Sequence, residues 1–145
     1  MVAEKMKLKI LEAISEDLAK HIDSEFSRLT KQREVDYDLD AIIEKYLNYQ
    51  GKPLNLINSN RKTKDVVDAK RDIAFIYYCL SCPFYFSIGV DERLSKEKTK
   101  LAVSKLNISR AKFPGYLISA KHYYRVYAQY REIINEFISS YIKKE

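Results

Sequence analysis

The chain has no tryptophan and only three glycines, three prolines, two cysteines and two histidines among its 145 residues. So few glycines and prolines leave few turn sites, which favours long helices over a fold of many short strands. No apolar run approaches the roughly 20 residues that span a bilayer, so no membrane partner is expected. The N-terminal stretch MVAEKMKLKILEAISEDLAK mixes charged with apolar residues at helical spacing. It has no continuous apolar core and no small-residue cleavage site, unlike a secretory signal, and the expected location is the cytoplasm. The one C-x-x-C pair, Cys79 and Cys82, has no second pair to complete a four-ligand zinc site, and His21 and His122 lie far from it. A thioredoxin-like redox pair needs a βαβ setting, so the two thiols read as buried groups near a helix end. No Ser-His-Asp set, paired acidic motif or metal motif stands out, so neither an enzyme nor a cofactor is expected. Asp36, Asp38 and Asp40 alternate as in part of a calcium loop but lack its later Gly and Glu. Helix capping accounts for them better.

What the chain does have is apolar residues at helical spacing. Their 46% share suffices for a core, and the length suits one domain with a helical extension. Leu11, Ile14, Leu18, Ile22, Phe26 and Leu29 predict an amphipathic helix over about residues 3–31, which must bury its stripe on its own core or on a partner. Residues 1–35 therefore form a packing or dimerisation element, and a homodimer is one expectation. A second helix opens at Asp36 or Asp38, buries Leu39, Ile42, Ile43, Tyr46 and Leu47, and ends at Gly51 and Pro53. A third carries Val66, Ala69, Ile73, Ile76 or Tyr77, and Leu80, and closes at Pro83. The aromatic and β-branched segment 83–93 suits a short strand or an apolar loop. Ser95 caps a fourth helix ending near Leu106, and Pro114 sits in the first turn of a fifth. The stripe Leu117, Ala120, Tyr124, Tyr127, Ile134, Phe137 and Tyr141 carries that helix on as one long element, 114–143. The predicted class is all-α, about five helices with long first and last members and a helix-turn-helix in a core over 36–125.

Charge is unevenly spread. Residues 93–125 hold nine Lys or Arg against one acid, Glu97, on a chain whose net charge is +6. The remainder is slightly acidic, and a concentrated basic face suits a polyanion. Within this region LAVSKLNISRAKFPGYLISAK reads as helix, tight turn, helix. Val103 and Leu106 pack the first helix, Asn107 takes the left-handed turn position, and Ile108 and Phe113 plug the space between the helices. Ser109, Arg110 and Lys112 are left outward at the start of the second helix, where major-groove readers place base-contacting residues. Lys96, Lys98, Lys100, Lys105 and Lys121 are expected to neutralise phosphates. Arg110 suits a bidentate contact with a guanine edge. Arg61, Lys62, Lys64, Lys70 and Arg71 form a second basic group before and within the third helix.

The order of these features resembles the C-terminal DNA-binding domain of DnaA-type bacterial replication initiators. Residues 39–78 run helix, basic loop, then a helix opening Val-Val-x-Ala, and residues 101–121 are similar to that family's helix-turn-helix, with LISAK in its second helix. The resemblance implies a minor-groove arginine at Arg61 or Lys62 and the family's helical arginine at Lys70 or Arg71. The family's Gly-Gly-Arg-Asp-His-Ser-Thr signature is not present. Lys112, Phe113, Pro114, Gly115 and Tyr116 stand where Arg, Asp, His, Ser and Thr would be, so recognition of the family's own DNA box should be lost or changed. No Gly-rich run precedes Lys-Ser or Lys-Thr, so the nucleotide-switch motif is missing from the chain.

The expected function is nucleic-acid binding, with duplex DNA favoured, in an accessory or regulatory rather than catalytic role. A second reading is a small phage-type or accessory interaction module, an inhibitor or adaptor that docks the same basic face on an acidic protein or nucleoprotein partner. A third is single-strand or RNA binding. The chain has twelve tyrosines, most of them on helical stripes and so read as core or rim. Tyr116, Tyr123 and Tyr124 lie nearest the basic region and are the candidates for base stacking.

Overall fold

The computed structural model describes residues 2–143, in which helices joined by short loops and turns are the only regular elements, with no strand among them. The chain divides into two compact units that meet between Val35 and Asp36. No described helix is long and apolar enough to cross a membrane.

The first unit is a single helix, α1 (Val2–Arg33). Glu25 and Arg28, one turn apart, pair at 2.8 Å, and Lys31 and Arg33 in the last turn face the negative end of the helix dipole. The predicted stripe is solvent-exposed from Leu18 (55%) to Leu11 (61%), whereas Leu29 is buried.

The second unit is built around α3. Its elements are α2 (Leu39–Tyr49), a 3₁₀ turn (Leu54–Asn58), α3 (Lys64–Ser81), α4 (Pro83–Ile88), α5 (Lys96–Lys105), α6 (Lys112–Val126) and α7 (Ala128–Lys143). Seven α-helices thus replace the predicted five or so. Asp38 caps α2, its carboxylate accepting from the Ala41 amide at 3.3 Å. Gly51 at φ +65° closes it, with the Gly51 and Lys52 amides returned to Asn48 and Leu47. α3 is buried on every side from Asp72 to Ser81, because α2, α4, α6 and α7 all pack on it. Each Ile or Phe sealed there contributes about 1.5–3 kcal/mol.

Two predicted boundaries differ. Segment 83–88 is a short helix rather than a strand or loop. Pro83 occupies its first turn, where a missing N–H costs nothing, and the Glu92 carboxylate accepts from the Phe84 amide at 2.7 Å. Gly89, left-handed at φ +74°, ends it. The long last helix breaks at Tyr127, whose backbone is extended. Arg131 donates to the carbonyls of Tyr124 and Arg125 at 3.1 and 3.3 Å, satisfying groups the break would otherwise orphan. The break lets both α6 and α7 pack on α3 and on each other. A straight helix through all these residues would be about 45 Å long and could not.

One carboxylate ties the layers together. Asp72 accepts from the hydroxyls of Tyr46 on α2 (2.9 Å) and Tyr130 on α7 (2.8 Å) and from the Arg71 guanidinium (3.0 Å). Arg71 also pairs with Asp68 at 3.2 Å.

Candidate nucleic-acid interface

The α5–α6 turn is set by Asn107, a non-glycine residue at φ +53°. Its amide and that of Ile108 return to the carbonyls of Ser104 and Val103, so Asn107 stands where helices usually end on glycine. The left-handed form costs a non-glycine residue about 1–2 kcal/mol, and the side chain offsets this by donating to Asn60 Oδ1 at 2.7 Å and the Asn58 carbonyl at 3.4 Å. Val103 and Ile108 pack on the core, Leu106 and Phe113 are buried in it, and Ser109, Arg110 and Lys112 are exposed, as expected for this turn. From the turn, α5 rests on α2 while α6 lies across α3, so the two helices diverge onto different supports.

Asn107 thereby binds the loop that carries the second basic group. Lys70 completes the clasp, its ammonium donating to the carbonyls of Ser59 (2.9 Å) and Asn107 (3.1 Å). Arg61, Lys62, Lys70 and Lys112, about fifty residues apart along the chain, come to line one groove of about 720 Å³. Ser109 and Tyr116 complete its polar wall, and Val66, Val67 and Ile108 give it an apolar component. Its lining holds four cations and no acid. Burial, and then the charge of Lys112, push the Lys70 ammonium down from its ordinary value. Asn107→Ala removes both side-chain bonds and keeps the strain, so it is expected to destabilise by about 1–2 kcal/mol in urea denaturation. Asn107→Gly, which relieves the strain, should cost less.

Several residues predicted to meet phosphate are committed elsewhere. Lys70 is 4% exposed and braces two loops, so it shapes the groove more than it reaches out of it. Arg71 is held by Asp68 and Asp72 and lies over the rings of Tyr123 (4.6 Å) and Tyr130 (5.5 Å). Lys105 pairs with Asp40 at 2.8 Å. Lys121 follows Lys112 by about two and a half turns and so lies on the opposite side of α6. There it pairs with Asp91 at 3.3 Å and sits 4.6 Å over both Tyr78 and Tyr85. Burial pushes its pKa down, but Tyr78 and Asp91 together outweigh this and raise it. Lys64 lines a different groove. Lys96 and Lys100 are exposed and Lys98 is half-buried on α5, and none of the three lines the basic groove. Arg110 is exposed in the turn itself. Of the stacking candidates, Tyr116 lines the basic groove and Tyr123 the second one. Tyr124 packs on Phe75 and donates to Asn135 at 2.6 Å.

Cys79 and Cys82 are both buried and unbridged, and burial pushes the Cys79 thiol up, consistent with inert core groups. No family model matches this chain, and no curated protein or solved structure is significantly similar to it.

Proposed function

We propose that this protein binds nucleic acid, with duplex DNA as the favoured ligand, through the groove between the 59–63 loop and the α5–α6 turn. One observation carries the reading. Two basic segments distant in sequence line a single groove with four cations and no acid. An uncompensated cluster of this kind costs folding energy through self-repulsion, and a polyanion relieves it. The groove walls are a helix start and two clasped loops, so the cations sit on rigid supports. Lys62 and Lys112 neutralise phosphates in this arrangement, while Ser109 and Arg110, in the turn just ahead of α6, are placed to meet base edges. The resemblance to the initiator DNA-binding domain implies a minor-groove contact from Arg61 or Lys62, in keeping with this groove, while Arg71, occupied by Asp68 and Asp72, drops out as the family's helical arginine.

The test is binding of a labelled duplex across a salt series. Counterion release should give a log-log slope of about −0.9 per phosphate neutralised. Lys112→Gln is expected to weaken binding and lower that slope by about 1. Lys121→Gln, on the far side of α6, should leave both unchanged. Absence of binding at low salt would sink the reading. A shallow slope with retained affinity for an acidic protein would favour the docking alternative.

A further inference from the structure

A second groove, of about 770 Å³, lies at the α6–α7 junction, and its lining differs in kind. Tyr123, Tyr127 and Tyr130 supply rings, and Val126 adds apolar surface. Its guanidinium, Arg71, is already matched by Asp68 and Asp72 at 3.2 and 3.0 Å. The groove therefore offers flat aromatic faces with little net field, apart from exposed Lys64 at its edge. That chemistry suits the uncharged face of a base, as the basic groove suits phosphate.

The rings are held in place. Arg71 lies against Tyr123 and Tyr130, and the Tyr130 hydroxyl is fixed on Asp72 at 2.8 Å. Tyr127 packs on Tyr123 with centroids 5.4 Å apart. This spacing is below the about 6.8 Å, two stacking steps, that an inserted base requires. A base must then stack on the outward side of Tyr127, the residue at which the helix breaks, which is 52% exposed. The two grooves are neighbours around the start of α3. Lys62 lines one and Lys64 the other.

We propose that the groove at the α6–α7 junction stacks an unpaired nucleobase, so that the protein favours a duplex that ends in, or opens into, single strand. The duplex lies in the basic groove, the backbone passes Lys62 and Lys64, and the first unpaired base caps Tyr127. This deepens the reading above and rests on it.

The experiment compares a blunt duplex, the same duplex with a short single-stranded overhang of either polarity, and a duplex whose overhang is abasic. Wild-type protein should bind one natural overhang roughly 5- to 150-fold more tightly than the blunt form, the range measured for one stacked base. Tyr127→Ala should erase most of that gain and Tyr127→Phe should keep it, and the abasic overhang should retain only the small part owed to its phosphates near Lys64. Equal wild-type affinity for blunt and overhang probes overturns this inference alone and leaves duplex binding standing. So does a gain that survives undiminished in Tyr127→Ala or with the abasic overhang, because extra phosphates then explain all of it. Failure of the wild type to bind any of the probes removes both readings.

Discussion

Replacing Asp72 with alanine is expected to cost about 3–5 kcal/mol of unfolding free energy, the penalty of breaking a buried ion pair from one side. The carboxylate is the common acceptor for Tyr46, Tyr130 and Arg71, which come from α2, α7 and α3. Its removal leaves a buried hydroxyl on Tyr46 without a partner and Arg71 with Asp68 alone. A loss of this size takes a large part of the roughly 5–15 kcal/mol that a domain has. Chemical denaturation read by far-UV circular dichroism measures it. The pH dependence carries its own sign. Burial pushes the Asp72 carboxyl up from its ordinary value, and Arg71 with the two hydroxyls offset only part of that rise. A raised acid contributes stability that is fully present below the unfolded value of about 3.9 and is lost as pH climbs through the folded one. Relative to Asp72→Asn, the wild type should therefore gain stability on acidification through that window. A gap that widens instead towards neutral pH would show that pairing outweighs burial.

The double charge reversal Lys62→Glu/Lys112→Glu is expected to lower duplex affinity by on the order of 100-fold or more at low salt. Two phosphate contacts are lost, and the salt slope should fall by about 2. Both side chains are exposed, and neither is an apolar core residue. The Lys112 substitution places an acid in the first turn of α6, which the helix dipole favours. It also removes the cation that opposes charge on Lys70. The variant should therefore melt no lower than the wild type, and lost binding cannot be assigned to unfolding. A variant that melts normally and binds normally would dissociate the groove from any nucleic-acid role.

The local signals were legible because their causes are local. Asp38 and Ser95 cap helices through their own side chains, Gly51 closes α2, and Pro114 lies in the first turn of α6. Asn107 was readable as the left-handed residue of the turn, since few other side chains tolerate that conformation. The short helix at 83–88 was not readable, because aromatic content there argues for a strand while its stability comes from Glu92 and from packing on α3. The break at Tyr127 carries no proline or glycine. The carbonyls it frees are met by a guanidinium reaching back from Arg131, a partnership with no pattern in sequence.

The candidate site divides in the same way. Composition alone located the positive charge in residues 61–71 and 93–125. It could not say which cations are free, because an ion pair depends on what lies across space rather than along the chain. Asp40, Asp91 and the Asp68–Asp72 pair take up Lys105, Lys121 and Arg71, and only tertiary packing brings them there. Lys112 and Lys121 were both expected on the binding face, although nine residues along a helix put them on opposite sides of it. The sequence by itself thus determined an all-helical chain with caps, turns and a basic region, since propensity, capping and net charge are properties of neighbouring residues. Only the tertiary structure decided that Arg61, Lys62, Lys70 and Lys112 share a groove. That convergence rests on Lys70 and Asn107 bridging loops about fifty residues apart, and such contacts form only once α3 and α6 have packed.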